Sequence, residues 1–277
     1  MRRHILQWVA IFALCSFPVL ASATESVYTF AVVPQFPASI IQRDWAPLLE
    51  RVGKIAGVRF QLKLYASISD FEKGVLAGEP DFAYMNPYHA VMARKALGYT
   101  PLLREWKRQL VGILVVPKES PVQTVRDLDG KVVAFPSPNA LAASLYMRAL
   151  LAEKEEINIT PVYVKTHSNV YRNVLLGKAV AGGGVNKTLK KESQALQAAL
   201  RILYRTPGIA PHPVCVHPRV PEDLSQRFVS AFQNLAEDES GKVLLGRVSI
   251  PHPVTADYQR DYEPLEDLGL ENFLSQR

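Results

Sequence analysis

Apolar residues recur along this chain in two alternating rhythms. Val27 to Val33 is a short apolar run ended by "PQFP", the pattern of a strand entering a turn. From Arg43 to Ala56, Trp45, Leu48, Leu49, Val52 and Ile55 fall at helical spacing, and Gly57 stops the pattern. Residues 58 to 65 ("VRFQLKLY") alternate as a strand, and 67 to 79 read as a helix capped by Ser69 and stopped by Gly78. "PDFAYMNPYHAVMARKALG" then predicts a short strand, a turn at Asn86-Pro87 and a helix. Strands alternating with helices in this way predict an open sheet covered on both faces.

A second unit of the same kind begins at the apolar strand 110 to 117 ("LVGILVVP"). "KVVAFPSPNALAAS", residues 131 to 144, predicts a strand, a turn and the start of a helix. Residues 157 to 166 predict a strand, "SNVYRNVLLG" a helix, and "AVAGGG" a short buried strand ending in glycine. "KTLKKESQALQAAL" follows as a helix, residues 201 to 220 return to an apolar strand, and the remaining helices complete the first unit. The expectation is an α/β protein of two lobes, each an open mixed sheet flanked by helices. Lobe 1 takes residues 24 to 110 plus 211 to 277 and lobe 2 takes 111 to 210, with a hinge and a cleft at the two crossings. In such sheets ligands collect at the carboxyl ends of the strands.

Composition narrows the class. The 277 residues, 48% hydrophobic, suffice for one large domain or two ordinary ones. Arg2 and Arg3, an apolar run from Ile5 to Leu20 and then Ala21-Ser22-Ala23 predict a secretory signal, residues 1 to 23, and a periplasmic mature protein. A membrane anchor is the competing reading, for which the apolar run is short. Leu14 before Cys15 is too large for the usual lipoprotein cleavage site. The formal net charge is +6, and removal of Arg2 and Arg3 leaves 30 basic against 26 acidic residues. That mild excess suits an anion-binding protein, and without basic–aromatic clustering it predicts no nucleic-acid partner.

Cys215 alone remains after cleavage, so an intramolecular disulfide is excluded, and its setting in "HPVCVH" reads as a buried thiol. His212 and His217 fall on opposite faces of a strand, so no metal site is expected there. The chain lacks Gly-x-Ser-x-Gly, a Walker loop, His-Glu-x-x-His and Cys-x-x-Cys. Neither an enzyme nor a cofactor is expected.

The order "DFAYMNPYHAV", "LVGILVVPKESPVQTVRDLDGKVVAFPSP", "THSNVYRNVLLGKAVAGGGVNKT" resembles the periplasmic substrate-binding proteins of phosphate, phosphite and phosphonate transporters. The resemblance implies a two-lobed type II periplasmic binding protein, a monomer closing around one small anionic ligand, and an inner-membrane ABC permease as partner. Where relatives have lost pocket groups, the implied alternative is a periplasmic sensor reporting another ligand to a membrane histidine kinase.

The resemblance also points to a pocket. Where the family carries a run of Ser and Thr, this chain reads Ser137-Pro138-Asn139-Ala140-Leu141. With Ser137 as N-cap and Pro138 as first helical residue, the N–H groups of Asn139, Ala140 and Leu141 would face an anion. The competing reading is that Ser137 merely caps its own helix. His167 matches the family histidine, with Ser168 and Tyr171 within a turn of it. Val180 stands where the family commonly carries Asp, which argues against an aminoalkyl ligand. Gly182, Gly183 and Gly184 permit either close backbone approach to a ligand, with Gly183 the candidate, or a tight turn. Asn186 caps the next helix or reaches the cleft. The other lobe offers Gln35, Phe36, Tyr84, Asn86, Tyr88 and His89 as walls.

Overall fold

The computed structural model describes residues 26–274, so the signal-peptide reading for residues 1 to 23 lies outside the described residues. The chain runs β1 (Val27–Val32), α1 (Ala38–Ala56), β2 (Arg59–Lys63), α2 (Ile68–Leu76), β3 (Phe82–Tyr84), α3 (Pro87–Leu97) and β4 (Thr100–Glu105). It continues with β5 (Gly112–Pro117), β6 (Val132–Phe135) and a helical segment, 141–154, centred on α4 (Tyr146–Ala149). Next come β7 (Thr160–Tyr163), α5 (His167–Leu175), β8 (Ala181–Val185), α6 (Asn186–Lys190), α7 (Gln194–Ala198) and β9 (Leu200–Arg205). The return leg is β10 (Val214–Val216), α8 (Glu222–Glu237), α9 (Glu239–Arg247), β11 (Pro253–Thr255) and α10 (Tyr258–Asp261).

Two mixed open sheets result, each flanked by helices, in the two-lobed arrangement expected. The first has the order β11-β4-β10-β3-β1-β2 and the second β7-β6-β8-β5-β9. β1 is parallel to β2 and β3, while β10 runs antiparallel to β3 and β4. β6 is parallel to β7 and β8, and β5 is antiparallel to β8 and β9. The two crossings between sheets hold one another: Leu110 and Ile209 exchange backbone hydrogen bonds of 2.9 and 3.0 Å.

Aromatic packing sets the position of the first sheet. Phe82 stacks on Phe228 of α8 with ring centroids 4.8 Å apart and meets Phe60 edge-on at 5.3 Å. Burying each such ring stabilises the fold by about 1.5–3 kcal/mol. A second apolar cluster joins the lobes: Tyr88 and Val91 of α3 meet Leu141 and Leu145 of the 141–154 helix, with Tyr258, Tyr262 and Leu270 from the C-terminal segment.

Local signals decide most element ends. Asn86 caps α3 by accepting the His89 N–H at 2.7 Å, with Pro87 in the first turn, and Thr166 caps α5 by accepting the Asn169 N–H at 3.2 Å. Three expectations are corrected. α1 begins at Ala38, five residues early, because Pro37 supplies an extended N-cap that no polar side chain announces. α2 is capped by Ser67, whose Oγ accepts the Asp70 N–H at 3.1 Å, leaving Ser69 free to face the other lobe. The single helix expected after Asn186 is broken, because Ser193 caps a separate α7.

Candidate functional site

The seam between the lobes is lined by polar groups at the carboxyl ends of the strands. From the first lobe come Gln35 after β1, Asn86 after β3 and His212 before β10; from the second come His167 and the start of the 141–154 helix. All four of those side chains are buried. The cavity they enclose leaves about 10 Å³ of room, the space of a single water.

The turn after β6 differs from the expectation. Ser137 does not cap a helix: its carbonyl accepts the Ala140 N–H at 3.3 Å, closing a turn, and its Oγ lies 3.4 Å from Ser69 Oγ across the seam. The helix starts at Leu141 with a π-helical turn, and Ala140 O accepts from Ser144 and Leu145. The N–H groups without intrahelical acceptors are therefore those of Leu141, Ala142 and Ala143, two residues further on than expected. All three residues line the seam cavity, as does Ala140.

Asn139 serves a different purpose. Its side-chain amide donates to both Glu72 carboxylate oxygens, at 3.1 and 3.0 Å, and its carbonyl accepts from Asn86 Nδ2 at 3.2 Å. Glu72 also approaches His89 Nε2 at 3.4 Å, close enough for an ion pair though not aligned for a hydrogen bond. Lobe closure is thus latched by side chains buried from both sides.

Histidines supply the unused polar capacity. His167 Nδ1 and both ring nitrogens of His212 have no hydrogen-bond partner among the described residues. Burial, with the charge of Lys187 second, pushes His167 down to about 3. Burial likewise pushes His212 well below its ordinary value, aided by Lys187, His89 and His167. Both rings are neutral near pH 7, so each presents one donor and one acceptor. Cys215 is buried and free, its thiol pushed up by desolvation.

The expected pocket residues divide by place. Asn86, Asn139, Ala140 and His167 meet at the seam, with Ser137 at its edge. Tyr84 and Asn186 line a neighbouring cavity on the hinge side. Phe36 and Ser168 sit at the outer mouth, in a cavity of about 560 Å³ where Ser168 Oγ donates to Glu192 at 2.5 Å.

Three expected residues stand away from the seam. Tyr88 faces the apolar inter-lobe cluster. Tyr171 is fully buried beside β8, its hydroxyl paired with Thr188 Oγ1 at 2.6 Å. Gly183 underlies the helix: a Cβ there would lie 2.1 Å from Ala143 O and 2.4 Å from the Phe135 ring. The glycine run serves close helix-to-sheet packing. Val180 precedes β8 and packs with the apolar cluster of the second lobe, outside the lining of the seam cavity.

Sequence reasoning missed Lys187 and Glu72. Lys187 lies just past the carboxyl end of β8, reaching Tyr84 Oη at 2.9 Å across the seam. Its one local signal is that it follows the glycine strand. Glu72 sits on an ordinary amphipathic helix, where nothing marks one carboxylate as buried.

The family model for the periplasmic phosphonate substrate-binding protein of ABC transporters matches residues 30–262. The chain belongs to that family. The chain is also similar to the phosphate-import protein PhnD of Mycolicibacterium smegmatis, 22% identical over 212 residues that cover 69% of this chain and 66% of that protein. The solved binding-protein component of an ABC phosphonate transporter from Pseudomonas aeruginosa superposes with a TM-score of 0.82 at 12% identity, covering 90% of this chain and 88% of that one. PhnD1 of Prochlorococcus marinus, in complex with methylphosphonate, superposes at 0.79 with 14% identity, covering 89% and 98%. At these identities the structures establish the type II binding-protein fold. Among the described residues of this family member, no helix is long and apolar enough to cross a membrane. Nor is any group of three or more His, Cys, Asp or Glu side chains placed to hold a metal ion.

Proposed function

We propose that this protein is an extracytoplasmic solute-binding protein that captures a small phosphate- or phosphonate-like anion by lobe closure and delivers it to an inner-membrane ABC permease. The observation that carries the reading is the seam itself. Gln35, Asn86 and His212 from one lobe meet His167 and the first-turn N–H groups of Leu141, Ala142 and Ala143, which have no intrahelical acceptors, from the other, all beside a hydrogen-bonded hinge. Helix-end N–H groups favour negative charge by direction and by dipole. A solute that touches both lobes only when they are shut shifts the protein toward the closed state. Nothing in the seam supplies a nucleophile with an adjacent base, so binding without turnover is the chemistry available.

The cavity holds about one water when shut, so the solute enters an opened seam and replaces part of the Asn139–Glu72 latch. That self-latched closure also favours a second reading, a periplasmic sensor whose open and closed forms are read by a membrane receptor. Titration calorimetry of the mature chain with phosphate, phosphite, methylphosphonate, sulfate and small carboxylates tests the first reading. Heat at micromolar dissociation constants with an oxyanion supports capture, and no heat with any of them overturns it. A vesicle-reconstituted permease stimulated by the loaded protein then separates transport from sensing.

A further inference from the structure

We infer that the cavity on the hinge side of the seam, framed by Lys187, Lys190, Arg108 and His212, is where the ligand's negative charge is held. The inference rests on capture of a solute between the lobes and adds the charge-bearing seat.

The cavity measures about 250 Å³ and draws its walls from both lobes and both crossings. Tyr84 and Glu105 come from the first sheet, Arg108 from the outward crossing, His212 from the returning one, and Lys187 and Lys190 from α6. His212 lines both this cavity and the seam, so one ligand spans the two. The volume lies below the range of pockets that enclose drug-sized molecules, which fits a small solute.

Charge is unbalanced here. Three cations face one carboxylate, and that carboxylate is already used. Glu105 accepts the backbone N–H groups of Lys107 at 3.0 Å and His252 at 2.8 Å and lies 3.2 Å from His252 Nδ1. Among the ion pairs of the described residues, none within 4.0 Å takes Lys187, Lys190 or Arg108.

Lys187 is the informative member. Its ammonium donates to Tyr84 Oη at 2.9 Å and lies 5.2 Å from the centre of the Tyr84 ring, on which His212 stacks at 5.4 Å. A mostly buried ammonium held by a neutral phenol, with no carboxylate within 4.0 Å among the described residues, is costly unless something else brings negative charge. His212 repeats the signal independently. It is 3% exposed, and neither ring nitrogen has a hydrogen-bond partner among the described residues.

The titratable groups around Lys187 are Tyr84 and Glu105 from the first sheet, His212 on the crossing, and His167 and Lys191 from the second lobe. Burial, with the charge of Lys191 second, pushes Lys187 down to about 7. An arriving anion restores the ammonium, so binding at pH 8 takes up a proton.

Titration calorimetry of the mature wild-type chain with inorganic phosphate, pyrophosphate and citrate, in two buffers of different ionisation enthalpy, is the test. Wild type is expected to bind at least one of the three with a buffer-dependent enthalpy that reports proton uptake. Lys187→Met is expected to weaken binding by about tenfold or more and abolish the buffer dependence, whereas Lys187→Arg keeps the affinity. The double variant Arg108→Gln/Lys190→Gln removes two exposed side chains without threatening the fold, and a loss of about tenfold is expected. Lys131→Gln/Lys154→Gln, an equal loss of charge on the far surface of the second lobe, is expected to leave binding unchanged. Binding that survives in both Lys187→Met and the rim double variant overturns the charge seat while leaving capture between the lobes intact. Wild type that binds none of these anions, nor any solute of the wider panel, overturns both.

Discussion

Asn139 in the second lobe holds Glu72 in the first through two hydrogen bonds of 3.1 and 3.0 Å, both to one carboxylate that is 3% exposed. Because the two residues come from different lobes, this contact exists only when the seam is shut. Asn139→Ala is expected to cost about 1–3 kcal/mol, since Glu72 keeps its burial and loses donors. Urea unfolding measures the loss where the seam stays shut, and small-angle scattering is expected to show a larger radius of gyration where the seam instead opens and hydrates Glu72. An unchanged radius with unchanged stability would remove the latch from the account.

Gly112 and Gly183 let the first turn of the 141–154 helix lie against the second sheet. A Cβ at Gly112 would fall 2.0 Å from Ala142 O, and one at Gly183 would fall 2.1 Å from Ala143 O. Both clashes are with backbone, which cannot rotate away. Gly112→Ala and Gly183→Ala are each expected to destabilise by about 1–3 kcal/mol through overpacking. Thermal and urea unfolding check this, and a neutral result at both sites would show that the helix has room to lift.

Acid is expected to weaken the closed protein through His167. The folded ring stays neutral down to about 3, while the unfolded chain binds that proton near 6.5. This contribution is therefore complete above pH 6.5 and is lost as pH falls toward 3. At pH 5 the loss amounts to about 2 kcal/mol for this ring. His167→Gln cannot take up the proton, so its stability is expected to fall less between pH 7 and pH 5 than that of wild type. Equal losses in the two proteins would falsify the assignment.

Alkali has the opposite effect through Lys187. Its folded value is pushed down to about 7 against 10.5 in the unfolded chain. The penalty of burying the ammonium is full below 7 and fades as pH rises toward 10.5. Between pH 7 and pH 9 wild type is expected to gain about 2 kcal/mol that Lys187→Met does not. Denaturant midpoints of the two proteins at both pH values measure the difference, and parallel changes would contradict it.

Much of this molecule is legible residue by residue. The turn at Asn86-Pro87, the stop at Gly57 and the alternation of "VRFQLKLY" act over a turn or a strand, and each residue carries its own signal. The succession of those elements implied two mixed open sheets, which the structure has. Where a boundary depended on a side chain with no local partner, reading it from the sequence failed. Ser69 and Ser137 look like caps and instead face each other across the seam.

The site lay beyond such reading for a further reason. Lys187, Tyr84 and His212 are far apart along the chain, and what makes Lys187 unusual is that no carboxylate among the described residues pairs with it within 4.0 Å, a property of three folded segments rather than of any one. Glu72 and Asn139 likewise acquire meaning only as a pair, because desolvation acts on a group through everything that surrounds it. Local chemistry, acting between neighbours along the chain, determined the elements and their class. Only tertiary closure decided which buried groups would be left with charge and hydrogen-bonding capacity to spend on a ligand.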